Sequence, residues 1–201
     1  MGRYGSWGVP PYAFPAAGQR QCFNIPIIVR HKNHIASMQK SNQMVMQTDW
    51  FRTLHDYVDL GDVEIENSPG KSLVPLFKGQ ALRDSFDAVF YEQEEMRAIR
   101  TQRWAYFKYF PGSEKYKFED ELYDLSQDPG ENHNVASDPV NTDIIAELSE
   151  RIDTFFASYS SPKYNLWDGG MAMAYYYPPL QAAIWQDAFG PDWKPEFPKE
   201  V

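Results

Sequence analysis

Residues 86–125 alternate between apolar and polar side chains, and this period of two restricts the fold more than any other feature of the chain. Phe86, Ala88 and Phe90 recur at every second position, and residues 97–108 continue this period. Successive side chains of a β-strand point to opposite faces of a sheet, so this pattern is typical of strands. The sequence therefore predicts several short strands joined by turns, the last of them ending near Leu125.

A helix is predicted to follow these strands. Asp138-Pro139 is a helix-start signal, because proline is tolerated in the first turn. Ile145, Leu148, Ile152 and the pair at 155–156 then form an apolar stripe with acidic residues opposite. A helix laid over a small antiparallel sheet buries both apolar surfaces, so we predict an α+β fold for this part of the chain.

The N-terminal part of the chain has a different pattern. Residues 25–29, Ile-Pro-Ile-Ile-Val, form a continuous apolar run, which predicts a strand buried on both faces of a largely parallel sheet. The other strands of that sheet must come from elsewhere, or the chain is a fragment. Thr48-Asp49 can cap a helix. The apolar residues of this helix recur at helical spacing: Trp50, Leu54 and Tyr57 or Val58.

The composition excludes several classes of protein. The net charge is −9 and there is no basic block, which argues against nucleic acid as a partner because phosphates require clustered Lys or Arg. The single cysteine, Cys22, excludes an internal disulfide framework and a thiolate metal cluster. No run approaches the ~18 apolar residues of a membrane span. The polar start has no signal peptide, which leaves the compartment of a longer parent protein unknown.

Several motifs, in one order along the chain, resemble those of the sulfatase family. The strongest are residues 96–106, Met-Arg-Ala-Ile-Arg-Thr-Gln-Arg-Trp-Ala-Tyr, and residues 121–135, which contain Glu-Leu-Tyr-Asp-Leu and Asp-Pro-Gly-Glu-Asn-His-Asn-Val. Both are similar to the strand pair and polar turn of the family's C-terminal subdomain. Weaker similarities precede them, at residues 5–8 with 24–30, at 48–54 and at 70–79.

The resemblance reaches from the start of the chain to about residue 165 and implies three parts. Residues 1–80 would be the incomplete C-terminal end of an α/β domain like that of alkaline phosphatase. Residues 81–160 would be a small antiparallel sheet with a packed C-terminal helix. Residues 161–201 would be a family-variable arm, rich in aromatic residues, proline and glycine.

The resemblance also implies a chemistry whose main groups this chain lacks. Sulfatases hold a calcium ion and use a formylglycine nucleophile, made from a Cys or Ser within C/S-x-P/A-x-R. Cys22 lies in Gln-Cys-Phe-Asn-Ile, without that motif, and Tyr4 and Val9 stand where the family has a sulfate-facing His and Lys. We therefore assign no catalytic, cofactor-binding or metal-binding residue to this chain, and we expect these groups in an upstream part.

Two groups of histidines have a structural interpretation that we favour over a functional one. His31 and His34 have the spacing of a metal pair, but no acidic or cysteine partner lies near them in the sequence, which favours a solvated loop. His133 lies within the run 128–134, which is rich in turn-forming residues, and this favours turn chemistry over catalysis.

Charged clusters are interpreted in the same way. Arg97, Arg100 and Arg103 could present guanidinium groups to a sulfate or carboxylate. Alternation, however, puts Arg97 and Arg100 on opposite faces, and Glu92, Glu94 and Glu95 lie close by, which favours structural ion pairs. The acidic run 119–121 resembles a calcium site, but it precedes a predicted strand, and we favour a solvated loop.

The aromatic tail after Ser160 has two interpretations. Its Trp and Tyr rings could stack on sugar rings, as in a carbohydrate-binding platform. We favour the alternative, in which these aromatics cover the hydrophobic flank of a larger domain.

The leading hypothesis is the C-terminal part of a sulfuric ester hydrolase, which completes the fold and one wall of the substrate cleft and is inactive alone. Its partners would be the N-terminal catalytic part of the same protein and a sulfated sugar or other sulfate ester. One alternative is a free-standing or degenerate module that binds a sulfated glycan. Another is a fragment of a phosphodiesterase or phosphonate-monoester hydrolase of the same superfamily.

Overall fold

A four-stranded antiparallel sheet forms the centre of the structure, and strands that are neighbours in sequence are neighbours in space. The strands are β1 (Ala88–Gln93), β2 (Met96–Thr101), β3 (Trp104–Tyr109) and β4 (Glu121–Asp124). The structure is a computed structural model that describes residues 23–61, 67–82, 86–93, 96–109 and 119–160.

Among the described residues, three helices accompany the sheet: α1 (Asp49–Tyr57), α2 (Val74–Phe77) and α3 (Thr142–Tyr159). A 3-10 turn at Pro139–Asn141 leads into α3, and the side chain of Asp138 accepts a hydrogen bond from the Val140 N–H at 3.1 Å. The helix-start signal at Asp138-Pro139 is therefore confirmed, with the proline in the turn that precedes the helix.

One face of the sheet packs against α3. Ile99, Tyr106 and Leu122 lie opposite one another on β2, β3 and β4, so their side chains share this face. The buried residues of α3 that complete this core are Leu148, Ile152 and Phe156. The predicted α+β fold, with a small antiparallel sheet and a packed C-terminal helix, is confirmed.

The other face of the sheet is also buried. Its core contains Met96, Ala98, Phe107 and aromatic neighbours on β3 and β4. Phe23 packs against this core from the N-terminal part of the chain, with its ring centroid 4.3 Å from that of Tyr91 on β1. The sheet therefore needs apolar contacts on two sides, of which α3 supplies only one.

The polar turn after β4 is fixed by hydrogen bonds to the sheet. Glu131 lies in the left-handed region, with φ of 56°, and its buried carboxylate pairs with the guanidinium of Arg100 on β2. The Asp128 carboxylate accepts hydrogen bonds from the next N–H groups of the turn, at residues 132 and 133. The Asn134 side chain accepts a hydrogen bond from the Leu122 N–H at 2.9 Å, which pairs the edge of β4. The prediction of turn chemistry in this run is confirmed.

The predicted strand at 25–29 is not formed within this chain, and its prediction depended on neighbouring strands supplied from elsewhere. Ile25, Ile27 and Ile28 are 61%, 40% and 89% exposed. A strand requires a neighbour for its N–H and C=O groups. No strand of the described part of the chain pairs with this run, since the four strands form one sheet of their own. The apolar run is therefore extended in solvent and not buried.

Some predictions fall on residues that the structure does not describe. These are the loop at 1–22, with Tyr4, Val9 and Cys22, and the aromatic arm at 161–201. Among the described helices, none combines the length and the apolar character that crossing a membrane would require.

Truncating the core between α3 and the sheet should destabilise the protein. Ile152 is fully buried, so Ile152→Ala removes buried methyl groups and leaves a cavity. We expect a loss of about 2–5 kcal/mol in the free energy of unfolding, measured by urea titration. Val140, which is 79% exposed, provides the control, because Val140→Ala should change stability by about 0.5 kcal/mol at most. Equal losses from both variants would contradict the described packing.

Candidate interface on the first helix

Helix α1 buries its polar side and exposes its apolar side. Its buried residues are Asp49, Thr53 and His55. Its exposed large apolar residues are Phe51 at 63% and Leu54 at 56%, followed by Val58 at 58% just beyond the helix. The helix itself was predicted correctly, and of its apolar stripe Leu54 and Val58 are exposed whereas Trp50 and Tyr57 are partly buried.

The carboxylate of Asp49 explains why the polar side is buried. It accepts hydrogen bonds from two backbone N–H groups, that of Met46 at 2.7 Å and that of Lys71 at 2.8 Å. Thr48 occupies the cap position but makes no side-chain capping bond, so Asp49 rather than Thr48 connects the start of α1 to its surroundings. Burial raises the pKa of Asp49, and the two backbone donors and the Lys71 charge only partly oppose this effect.

Thr53 makes a second connection between α1 and the segment after residue 67. Its hydroxyl donates to the Asp49 carbonyl at 2.6 Å and accepts from the Leu73 N–H at 2.9 Å. Gly70 allows this close approach, because a Cβ at this position would lie 2.3 Å from the Thr48 carbonyl oxygen. The polar side of α1 is therefore held against residues 70–73 by specific hydrogen bonds.

His55 is a buried polar residue that no sequence pattern singled out. It is 6% exposed, and in the part of the chain that the structure describes neither of its ring nitrogens has a hydrogen-bond partner. Its Nδ1 lies 3.5 Å from the Asp56 carboxylate. Slight burial acts to raise the pKa of Asp56, but the hydrogen bond from Ser72, the proximity of His55 and the charge of Arg52 together outweigh it, so this pKa is lowered.

Exposed apolar side chains are concentrated before residue 61. Among the described residues, all but two of the exposed large apolar side chains lie between residues 25 and 60, and the exceptions are Val140 and Tyr159. Soluble monomers rarely leave many such side chains uncovered in one region. The N-terminal half of the described chain therefore carries a candidate interface, which we define by Ile25, Ile27, Ile28, Phe51, Leu54, Val58 and Leu60.

The three arginines of the strand region form ion pairs with acids of the same subdomain, as predicted. Arg97 contacts Glu92 at 2.7 Å and lies over the ring of Phe156 at 4.3 Å. Arg100 pairs with Glu131, and Arg103 contacts the Asp124 carboxylate at 3.0 Å. Hydrogen bonding from Arg103 lowers the pKa of Asp124. These guanidinium groups therefore serve the fold.

The structure brings His31 and His34 together. Their rings stack with centroids 4.2 Å apart, and His31 Nδ1 lies 2.5 Å from the hydroxyl oxygen of Tyr57 on α1. Both histidines are exposed, as expected for a solvated loop. The contact with Tyr57 is an addition that the sequence pattern did not indicate, and it fixes the loop to α1.

The acidic run 119–121 does more than face solvent. The Asp120 carboxylate accepts hydrogen bonds from the Tyr106 hydroxyl at 2.5 Å and the Tyr109 N–H at 2.9 Å. Burial raises the pKa of Tyr106 strongly, and the hydrogen bond to Asp120 raises it further. The prediction of a solvated loop is therefore wrong for Asp120, whose carboxylate is used to bind two groups of β3.

The described residues do not offer a calcium site. Within them, no three His, Cys, Asp or Glu side chains converge in an arrangement that could hold a metal ion.

Comparison with known proteins agrees with the fold and the motifs. The family described as N-sulphoglucosamine sulphohydrolase, C-terminal, matches residues 19–157. A Delta 4,5-hexuronate-2-O-sulfatase of Bacteroides thetaiotaomicron is 32% identical over 94 residues, which are 43% of this chain and 18% of the relative. An ulvan-active sulfatase of Formosa agariphila is 27% identical over 147 residues, which are 57% of this chain and 29% of the relative. The chain thus spans less than a third of the length of these curated relatives.

A solved structure has the same fold. It comes from work on the metabolism of multiple glycosaminoglycans by Bacteroides thetaiotaomicron, and it superposes with a TM-score of 0.54. The superposition covers 69% of this chain and 32% of that chain at 19% sequence identity. At this identity the similarity concerns the fold alone.

The pH dependence of stability should distinguish Asp49 from Asp128. Because the pKa of Asp49 is raised above 3.8, its carboxylate takes up a proton at a higher pH in the folded state than in the unfolded state. Wild type should therefore gain stability relative to Asp49→Asn over this pH range, in urea titrations at a series of pH values.

Asp128→Asn is the matched control with the opposite sign. Burial acts to raise the pKa of Asp128, but hydrogen bonds from residues 132 and 133 outweigh it, so this pKa is lowered. Its contribution to stability is present above the unfolded pKa and is lost as the pH falls below 3.8. Wild type should therefore lose stability relative to Asp128→Asn at low pH. The same sign for both variants would show that the Asp49 environment is described incorrectly.

Proposed function

This chain belongs to the N-sulphoglucosamine sulphohydrolase C-terminal family, and we propose that it is the C-terminal part of a sulfuric ester hydrolase. In the complete enzyme it would finish the fold and form one wall of the substrate cleft. The nucleophile and the metal ligands would come from an N-terminal catalytic part of the same protein.

The observation that carries this proposal is the reversed burial of α1. A surface helix of a self-sufficient domain turns its apolar side toward its own core. Here Asp49 and Thr53 are buried by hydrogen bonds to the next segment, while Phe51 and Leu54 face outward. Apolar area removed from water contributes about 25 cal/mol per Å², so a partner that covers these side chains would bind favourably.

The exposed run at 25–28 supports the same partner. Its composition is that of a strand buried on both faces, and such strands need neighbours on both edges. A sheet in the N-terminal catalytic part would provide these neighbours and also cover the three isoleucines. The described chain thus has both a helix face and a strand-forming run that one α/β domain would complete.

The role that we assign to this chain is to position other groups, without reacting itself. In the complete enzyme, calcium and the formylglycine would supply charge stabilisation and the nucleophile. No step is assigned to a side chain described here, because the arginines of β2 and β3 are held in ion pairs of the subdomain. The chain's own contribution would be a rigid sheet and turn that position loops beside the cleft.

The proposed substrate class of the complete protein is a sulfate ester of an acidic polysaccharide. One relative is named for the 2-O-sulfate of a Delta 4,5-hexuronate and another for activity on ulvan. Because the chain spans only a small share of both relatives, this assignment concerns the class and not the individual sugar.

The 201-residue chain alone should release no sulfate from a chromogenic aryl sulfate, with or without calcium. The reason is that the family's nucleophile motif is absent from the sequence, so no formylglycine can form in that context. Sulfate release should be assayed across the fractions of a purification. Turnover that follows the protein through every step would overturn the proposal.

The DNA immediately upstream of the coding sequence gives an independent check. An in-frame continuation encoding C/S-x-P/A-x-R, followed by Asp-His-Gly, would support a longer enzyme, and its product should hydrolyse the same ester. A promoter directly upstream, after a stop codon, would instead favour a free-standing module.

The exposed side of α1 should bind a hydrophobic dye. Replacing Phe51, Leu54 and Val58 together by Gln removes this apolar face while keeping helix-forming side chains. We expect the dye fluorescence of the purified chain to fall by about half or more, and self-association measured by light scattering to decrease.

The control for this experiment replaces the two exposed large apolar residues that the structure describes after residue 61. Val140→Gln with Tyr159→Gln removes exposed apolar area away from the candidate interface and should leave dye binding nearly unchanged. A wild-type chain that is monomeric and binds little dye would contradict the proposed interface and favour an independent module.

A further inference from the structure

Two side chains of the N-terminal part contact the β1 side of the sheet. The Phe90 N–H on β1 donates a hydrogen bond to Sδ of the buried Met46, at a distance of 3.5 Å. The Lys71 Nζ lies 3.8 Å from the centre of the Phe86 ring, just before β1 begins. Met46 precedes α1 and Lys71 follows it, so the segments on both sides of α1 reach the same part of the sheet.

The contact at Met46 pairs a donor at the edge of the sheet. β1 is an edge strand, because β2 is its neighbour on one side and no described strand lies on the other. The outward N–H groups of an edge strand have no partner in the ladder, and an uncovered edge invites pairing with other chains. The thioether is a weak acceptor on a flexible side chain, so the Met46 backbone must be held near β1 for the bond to form.

The Asp49 carboxylate holds the backbone of both residues. Its Oδ2 accepts a hydrogen bond from the Met46 N–H at 2.7 Å, and its Oδ1 accepts one from the Lys71 N–H at 2.8 Å. Asp49 is 1% exposed, so water does not compete for these bonds, and leaving either N–H unpaired in the interior would be unfavourable. One buried group therefore fixes the two residues whose side chains contact the sheet.

We propose that the Asp49 carboxylate is a joint that couples α1, and with it the candidate interface, to the edge of the sheet. With both N–H groups bound, Met46 and Lys71 hold α1 and β1 in one arrangement. Without the carboxylate, the hydrogen bond at Phe90 opens and the edge of β1 becomes accessible to water. The coupling rests on these contacts alone, whereas its consequence, that a catalytic part bound to α1 would also fix the sheet, rests on the proposed function.

Thr53 provides a comparison within the same helix. It is fully buried, as Asp49 is, and it also connects α1 to the segment after residue 67. Its hydroxyl binds the Leu73 N–H, however, and not the backbone of Met46 or Lys71. A joint at Asp49 therefore predicts different effects at Phe90 from the loss of these two side chains, whereas a general role in stabilising α1 predicts similar ones.

Hydrogen–deuterium exchange at the Phe90 amide tests the joint, measured by NMR on the isotope-labelled 201-residue chain. Met46→Leu keeps the apolar volume but removes the acceptor, so exchange at Phe90 should become about threefold or more faster. Asp49→Ala removes both acceptors of the carboxylate and should accelerate exchange at Phe90 to a similar extent. The double variant should exchange no faster than Met46→Leu alone, within about twofold, because both substitutions interrupt the same path.

Thr53→Ala is the matched control, and it should leave exchange at Phe90 within about twofold of wild type. The Ile99 amide is the internal reference, because β2 has a strand on both sides and Ile99 is fully buried. Its exchange should change less than that of Phe90 in every variant. Unchanged exchange at Phe90 in Asp49→Ala, equal effects of Asp49→Ala and Thr53→Ala, equal acceleration at Ile99, or additive effects in the double variant would each overturn the proposal.

The outcome is separable from that of the proposed function. Sulfate release by the chain alone would overturn the assignment as a catalytically incomplete part and would leave the exchange result intact. Additive exchange effects, with dye binding at α1 and inactivity as expected, would overturn only the joint. Met46→Leu alone also tests the hydrogen bond at the edge of β1, even where Asp49→Ala fails to fold, because unchanged exchange at Phe90 would show that Met46 does not protect this amide.

Discussion

The ion pair between Arg100 and Glu131 is the interaction on which the arrangement of the C-terminal part depends. The Glu131 side chain is fully buried and Arg100 is only 18% exposed, so each charge needs the other. The pair fixes the polar turn against β2. This turn then places Asn134 against the edge of β4. The chain then continues through Val135 and Asp138 into α3, whose start is therefore set by a contact with the sheet. Removing one partner would leave an unpaired buried charge, which typically costs about 3–5 kcal/mol.

A different constraint governs the N-terminal part, where backbone N–H groups decide which side of α1 is buried. Asp49 and Thr53 accept hydrogen bonds from Lys71 and Leu73, and burial without these bonds would be unfavourable. The apolar residues are consequently left outside. This arrangement separates two roles within one short helix: its polar side holds the local structure together, and its apolar side is available to a partner. His55, buried without a hydrogen-bond partner among the described residues, adds an unsatisfied polar group to the same helix.

Much of the C-terminal subdomain could be predicted from the sequence. The alternation around β2 and β3 and the stripe at Leu148 and Ile152 reflect local periodicities, and the motif at 128–134 reflects local turn chemistry. The burial of α1 could not be predicted in this way. Periodicity identifies an apolar side but does not state which surface covers it, and the donors at residues 71 and 73 are distant in sequence.

The sequence by itself determined the α+β class, the family motifs and the absence of the nucleophile motif, because each of these depends on residue types at short spacing. Only the tertiary structure decided the two-sided burial of the sheet, the pairing of Arg100 with Glu131 and the outward apolar side of α1. The physical reason is that these features result from contacts between residues twenty or more positions apart. Desolvation and hydrogen-bond satisfaction select among such contacts only when the chain is folded.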